Sequence, residues 1–539
     1  MRKEGIKHWL DRFVDTLLKT GKEKFVVSGG MAVSGPIHIG KLRGEVIYPS
    51  GIVRALRRVG KDVKHIVVVY TQDPLKAKER LVPKSFIEEW SGVRILNVPD
   101  PWGCHKNWVD HFLTPYLRHA DEYGITATPV MTHEIYKTER MMETVKYFID
   151  HREEARMILN KYKGGKLGPE WFPVRPVCKE CGNVKNTKIV NYDRGKGIIE
   201  YACPRCKHQG VVDLSDVKLE WRAEWVALWN VLDVDVELYG KDHAAAGGSR
   251  DSCNELYRSL FGKEPPIGFP FEWVSLKIGG RSMEMSSSGG IAFTIDEWVS
   301  VGLPEALKYW YYVMRPMTHL EFDPAVSVPL LHDEYDRAER IYFGVEEPSD
   351  PDKIIDIRRA YELANDENVP ERLPFQVPYM MLAVVSQIIP SVDDVGAALK
   401  KLRHTGHLNR ELEGWETERL AVLLRKAYNW VTKYAPSHYR IEIVEEPDDK
   451  IIAEMGEEEK MLIRRLAMIL DDWKEKDPVK LEEVLYLEIR RAGLSSKRGF
   501  KILYKIILGR KNGPRLAPLI LAVGPKKISS VLRKVVEVV

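Results

Sequence analysis

The sequence predicts an α/β domain on a parallel sheet, interrupted by a cysteine-bearing insertion and followed by an all-α C-terminal region. Two β-branched runs, "KFVVSGG" and "VKHIVVVYTQD", flank an amphipathic stretch from Leu42 to Arg58. This is a βαβ unit, which places ligands at the carboxyl ends of its strands. Four cysteines in two Cys-x2-Cys pairs precede the return of strand and helix signals at "VDVELYGKDHAAAGGSRDSCNELYRSLFG". From about Leu330 strand signals fade. "RLAVLLRKAYNWVTKYA", "KMLIRRLAMILDDWKEK" and "KLEEVLYLEIRRAGL" space apolar residues by three and four, as packed helices do.

The elements follow in order. "MRKEGIKHWLDRFVDTLL" spreads charge through an amphipathic helix rather than forming the apolar core of a secretory signal. A chain of 539 residues holds two or more domains, and 44% apolar with 30% charged residues is ordinary for a soluble globular protein. No apolar run approaches the roughly 20 residues of a membrane span, so the expectation is a cytoplasmic protein without a membrane partner. The stretch from about Asp100 to Asp213 reads as an insertion. The acidic, proline-containing loops "EEPSDPDK" and "VEEPDDK" separate helical subunits.

Cysteine spacing carries the clearest chemistry. Cys178 and Cys181 form one knuckle and Cys203 and Cys206 another, with 21 residues between them that alternate like hairpin strands. Two thiolates at that spacing point the same way from a tight turn, and two knuckles complete a closed tetrahedral S4 site. This predicts a structural zinc ribbon; two disulfides are the alternative that a cytosolic chain disfavours. In "PDPWGCHKNWVDHF", Asp100, Cys104, His105 and His111 offer one carboxylate, one thiolate and two imidazoles. These are zinc donors, although the spacing alone leaves open that they are scattered surface or core residues. Cys253 remains as a thiol of apolar character.

After the first strand, "SGPIHIGK" joins a glycine turn to a helix start, where main-chain N–H groups gather into an anion site. Neither the dinucleotide fingerprint nor the P-loop spacing applies. Gly35 and Gly40 let a phosphate approach the backbone, and His38 projects into the same space. At the other end of the chain, Ser495 to Val539 carries eleven Lys/Arg against Glu537 alone, although the net charge is only +4. A polyanion partner fits such an end, and so does a solvated helix surface.

His38-Ile39-Gly40-Lys41 and Glu284-Met285-Ser286-Ser287-Ser288 together resemble the paired "HIGH" and "KMSKS" signatures of class I aminoacyl-tRNA synthetases. "DPWGCH", "LEWRAEW", "GKDHAAAGGS", "ERIYFGVE", "NWVTKYAP" and "GPRLAP" are similar to the class I lysyl-tRNA synthetases found mainly in archaea, over a span from about residue 7 to the C-terminus. The resemblance implies a Rossmann-type catalytic domain in two halves, 1–100 and 216–283. It places a zinc-bearing connective insertion at 101–215, a Met-Ser-Ser-Ser loop with a stem-contact segment at 284–340, and an α-helical anticodon-binding domain at 341–539. It implies activation of L-lysine with ATP and Mg²⁺ and transfer to the 3′ end of tRNA(Lys). Ser34, Gly35, Pro36, Ile37, His38, Ile39, Gly40, Lys41 and the loop from Glu284 to Ser288 would hold ATP. Gly30, Ala32, Trp221, His243 and Phe271 would line the amino-acid pocket, with Asp73 and Asp242 as carboxylates for the ammonium groups. Asp100, Cys104, His105 and His111 match the family's zinc cluster, which makes two zinc sites.

Four positions depart from the family. Ala32 and Val33 stand where members carry Thr-Pro, Lys41 where Asn or His is usual, and Gly289 where a lysine follows the third serine. Losing that ammonium removes a contact that strengthens as pyrophosphate departs, on the order of several kcal/mol of barrier. Lys277, Arg281 and Lys41 are the candidate replacements. These departures keep two alternatives in view: a catalytically silent tRNA-binding relative, and an adenylating enzyme for a different amino acid. In the helical region Lys497, Arg498, Lys501 and Lys505 are the expected contacts to tRNA phosphates. Tyr428, Trp430 and Tyr434, beside Arg425, Lys426 and Lys433, suit base stacking or core packing.

Overall fold

The computed structural model describes residues 7–163, 166–446 and 448–538. The chain divides into two compact units, one running to Trp298 and including 304–322 and 344–369, the other comprising 299–303, 323–343 and 370–539.

The first unit is organised by a four-stranded sheet. β1 (Lys24–Ala32) lies between β2 (Asp62–Tyr70) and the short strand Val236–Glu237, with β3 (Thr128–Met131) outside β2. All pairings are parallel, and β1 runs in register with β2 from Lys24 opposite Asp62 to Ala32 opposite Tyr70. The last six residues of β2 are buried, as expected of a strand covered on both faces.

The crossover differs in detail from the sequence reading. Helix begins at Ile39 rather than Leu42, and Arg43–Ile47 forms a π-helical turn before the α-helix Tyr48–Arg58. Such wide turns need an unusual local environment, and frequently mark functional sites. Here the fully buried Arg43 guanidinium donates to Tyr48 Oη and to the carbonyls of Glu272, Arg315 and Thr318. The stretch read as an insertion is also corrected, because β3 lies inside it and belongs to the sheet. "TPVM" is four residues with a proline and shows no alternation that would announce a strand.

The cysteine-bearing segment holds an antiparallel three-stranded sheet, Lys188–Asp193, Ile198–Ala202 and Gln209–Asp213. Val174–Pro176 pairs antiparallel with Val217–Leu219 beside it. Cys178, Ile199, Tyr201, Cys203 and Val212 join a continuous core with Trp225 and Trp229 of helix Trp221–Leu232. Further along, strands Val274–Ile278 and Arg281–Glu284 form a hairpin, and Glu284 ends its second strand.

Among the described residues the second unit contains helices and no strand, from Pro324–Tyr342 to Pro525–Val538. Residues 344–369, read from sequence as largely part of the helical region, cluster with the first unit instead. Trp430 is core, donating its indole N–H to the carbonyl of Pro324, while Tyr428 is exposed. Lys426 is buried, with its ammonium on the carbonyl of Val299, so it packs rather than faces solvent.

Candidate active site

The glycines of β1 are explained by what approaches them. A Cβ on Gly29 would meet the carbonyl oxygen of Glu45 at 1.9 Å, and one on Gly44 would meet the Phe271 ring at 2.2 Å. These close approaches seat the π-helical turn on the carboxyl end of β1.

The His38 segment and the Met-Ser-Ser-Ser loop meet directly. A Cβ on Gly35 would lie 2.1 Å from the carbonyl oxygen of Ser287, and Ser287 Oγ donates to the carbonyl of Pro36 at 2.7 Å. The N–H of Ile39 donates to Phe293 at 2.9 Å, and His38 pairs with Thr294 across an isolated bridge. The loop is a closed turn: Ser286 and Ile291 exchange backbone bonds of 2.7 and 3.1 Å, and Gly289 N–H donates to Ser286 Oγ at 3.2 Å. His38 is buried, and its Nδ1 has no hydrogen-bond partner. Burial, helped by the Lys41 charge, lowers its pKa to about 3. The imidazole is therefore neutral at physiological pH, and its Nδ1 is buried without a partner.

Of the three cations expected to replace the missing loop lysine, none stands at the loop's tip. Lys277 Nζ pairs with Glu321 at 3.0 Å, Arg281 lies at the hairpin turn, and Lys41 Nζ donates to the carbonyl of Ala32 at 2.6 Å. Lys78 was not anticipated; its N–H donates to the Ser288 carbonyl at 3.0 Å and its side chain is exposed.

A second group of residues gathers around Gly30. Its N–H donates to Glu45 Oε2 at 2.8 Å. Burial pushes the Glu45 carboxyl up to about 8, against the Gly30 hydrogen bond and the Lys41 charge, with Glu237 and Asp242 adding to the rise. Burial lowers Lys41 to about 8, opposed by Glu45 and Asp73. Tyr70 meets Trp221 edge-on at 5.6 Å, Trp221 stacks on Trp225 at 5.3 Å, and His243 lies 5.7 Å from Trp221. His243 Nε2 stands 3.5 Å from Asp242. Asp73 is bound by Lys218 Nζ at 2.9 Å; the same ammonium contacts Glu224, which accepts from Tyr136 Oη at 2.8 Å. The structure thus brings Gly30, Ala32, Asp73, Trp221, Asp242 and His243 into one neighbourhood, with Phe271 beneath Gly44. Glu45, Lys218 and Glu224 escaped sequence reading. Glu45 follows Lys41 by four positions on a helix, the pattern of an ordinary surface ion pair.

The donor atoms of Cys178, Cys181, Cys203 and Cys206 lie within 4.8 Å of one another. The Sγ atoms of Cys178 and Cys206 are 3.6 Å apart, and those of Cys181 and Cys203 3.7 Å. A disulfide needs about 2 Å, whereas tetrahedral thiolates on one ion stand roughly 3.8 Å apart. Asp100, Cys104, His105 and His111 likewise gather within 4.8 Å. Cys104 Sγ lies 3.2 Å from His105 Nδ1 and 3.3 Å from His111 Nδ1, and His111 Nδ1 lies 3.2 Å from Asp100 Oδ1. Asn107 caps the helix Trp108–His119 that carries His111, and Trp108 donates its indole N–H to Val33 at 3.1 Å, tying this cluster to the glycine turn. Cys253 is apart from both; burial pushes its thiol up to about 12. In the helical unit Lys497 and Lys501 are exposed, while Arg498 pairs with Glu459 at 2.9 Å.

A parallel sheet whose first crossover carries a buried histidine facing a serine-rich turn is the setting of a class I synthetase, and residues 7–367 match the family described as "tRNA synthetases class I (K)". The chain belongs to that family. Proteins named lysine–tRNA ligase are similar over nearly their whole length. The one from Aeropyrum pernix is 37% identical, covering 95% of each chain. Those from Methanocaldococcus jannaschii and Pyrococcus horikoshii are 32% and 33% identical, covering 96% and 95% of this chain and 98% and 96% of theirs.

Proposed function

We propose that this chain is a lysine–tRNA ligase, which activates L-lysine with ATP and transfers it to the 3′ end of tRNA(Lys). The observation that carries this reading is the near-full-length similarity to relatives of that name. The meeting of the His38 and Ser287 segments at the carboxyl end of β1 supports it.

The lysine carboxylate attacks the α-phosphorus of ATP, the bond to the bridging oxygen breaks, and pyrophosphate leaves. The terminal hydroxyl of tRNA then attacks the acyl carbon and AMP departs. The protein positions these groups and stabilises developing charge. His38, the main-chain N–H groups beyond Gly35 and the Glu284–Ser288 turn face the phosphates. Ser34, Pro36, Ile37, Ile39 and Gly40 shape that backbone, and Mg²⁺ neutralises the phosphate oxygens it accompanies. Glu45, Asp73 and Asp242 supply carboxylates for the ammonium groups of lysine, with Trp221, His243 and Tyr70 as walls.

The four cysteines fit zinc as a closed structural site, and the Asp100 cluster fits a second zinc; each cross-links its segment when bound. The cysteine-bearing part of the stretch 101–215, beyond β3, then serves as a metal-braced connective segment. The helical region from 370 onward serves as the anticodon-binding part, with Lys497, Arg498, Lys501 and Lys505 toward tRNA phosphates. No helix among the described residues is long and apolar enough to cross a membrane, and cytoplasmic tRNA charging is the setting we infer.

ATP–pyrophosphate exchange measured with each of the twenty amino acids tests this reading. Lysine-dependent exchange is expected. Dependence on a different amino acid would reassign the substrate, and silence with retained tRNA binding would remove the catalytic role.

A further inference from the structure

The chain places an ammonium of its own among the carboxylates that would receive the substrate. Lys41 Nζ donates to the carbonyl of Ala32 at 2.6 Å, on the last residue of β1. Glu45 and Asp73 are the carboxylates whose charge acts on it. Glu45 Oε2 accepts the Gly30 N–H at 2.8 Å, and Asp242 and Glu237 add negative charge around Glu45. Of the other cations of this neighbourhood, Lys218 is fixed between Asp73 and Glu224, and Arg250 lies 3.9 Å from Glu237. Lys41 has no ion pair within 4.0 Å among the described residues, and its one hydrogen bond from the ammonium goes to a neutral carbonyl.

Two ammonium groups cannot share this recess without strong repulsion, because like charges a few ångströms apart interact strongly where water is sparse. A lysine side chain has four rotatable bonds and a compact charge, so it can leave by rotation alone. We infer that Lys41 is a specificity-determining residue whose ammonium occupies the cation position of the amino-acid recess, and which the ammonium of an incoming lysine must displace. The inference rests on the lysine–tRNA ligase reading. An amino acid without a side-chain cation brings only its α-ammonium, one positive charge fewer than lysine, and so has less to offer Glu45 and Asp73 in exchange for Lys41. Discrimination then comes from an internal competitor as well as from attractive contacts. The cognate amino acid binds more weakly than the carboxylates alone would allow, and amino acids lacking a side-chain cation bind more weakly still.

Isothermal titration of L-lysine into the full-length wild type, Lys41→Met and Lys41→Arg tests this. Lys41→Met removes the competing charge and keeps an unbranched side chain; its lysine dissociation constant is expected to fall on the order of tenfold. Lys41→Arg keeps the charge and is expected to bind no more tightly than the wild type. A folded Lys41→Met, with unchanged unfolding temperature, that binds lysine no more tightly than the wild type overturns the inference; should that variant not fold, Lys41→Gln is read in the same way. Wild-type binding without a gain in the variants sinks the inference alone. Absence of lysine binding in the wild type sinks the ligase reading, and the inference with it.

Discussion

At the phosphate end of the site the contacts are neutral and made by backbone and hydroxyl groups. Ser287 Oγ rests on the Pro36 carbonyl and Ser288 accepts the Lys78 N–H, while His38 lies uncharged beneath them. At the proposed amino-acid recess ionisable groups are taken out of water: Lys218 lies between Asp73 and Glu224, and burial raises Glu45 and lowers Lys41. The difference teaches how each end can move. Neutral hydrogen bonds are exchanged for water at little net cost, near 1 kcal/mol each, so the serine turn can open for a nucleotide. A buried charge stripped of its partner costs about 3–5 kcal/mol, so the Lys218 pairs with Asp73 and Glu224 must be set before the substrate arrives.

The strongest way to break this contrast is His38→Ala. It removes the imidazole from the phosphate end and is expected to lower exchange about 10³-fold, near 4 kcal/mol of barrier. tRNA affinity, measured by filter binding, should stay unchanged; unaltered exchange would remove His38 from the phosphate end. Next comes Glu45→Gln, which keeps shape and loses charge at the recess. The KM for lysine should rise roughly 30- to 100-fold, with the KM for ATP nearly constant. Because Glu45 is held near 8, above its ordinary range, its carboxylate form grows as pH rises from 7 to 8.5. Lysine affinity should strengthen over that window in the wild type and rise less in the variant, where only the Lys41 ammonium, itself held at about 8, still titrates.

The smallest effect is on stability. His38 is depressed to about 3 in the folded state, whereas the unfolded chain binds a proton below about 6.5. Below that value the unfolded state holds more protons, so stability falls as pH drops from 6.5 toward 3. His38 contributes up to about 1.4 kcal/mol per pH unit to this slope. Urea titrations of His38→Asn at pH 7 and pH 5 should show a shallower loss than the wild type; an equal loss would mean that the imidazole is hydrated in the fold.

The two ends were unequally legible in the sequence. The phosphate end is written locally, as a strand ending in glycines, a helix start with His38, and a serine-rich turn whose composition is itself a signal. The cysteine knuckles are legible for the same reason, since a tight turn fixes both thiolates within four positions. The recess is assembled from distant places. Lys218, Glu224 and Tyr136 each read as an ordinary surface or core residue, and only the fold brings them to Asp73. Glu45 is hidden because its inward direction depends on the Arg43–Ile47 wide turn, which no spacing rule announces. β3 escaped because a four-residue, half-buried strand containing Pro129 carries too little pattern.

Lys218 sits in the middle of Val217–Leu219, opposite Arg175 in a two-stranded pairing, and Cys178 follows the partner strand by two residues. Because successive side chains of a strand alternate in direction, a slip of one residue turns Lys218 away from Asp73 and leaves Glu224 sealed in with no opposite charge. The pairing therefore acts as an interlock: the frame of the strand that leads into Cys178 also decides whether Lys218 reaches Asp73.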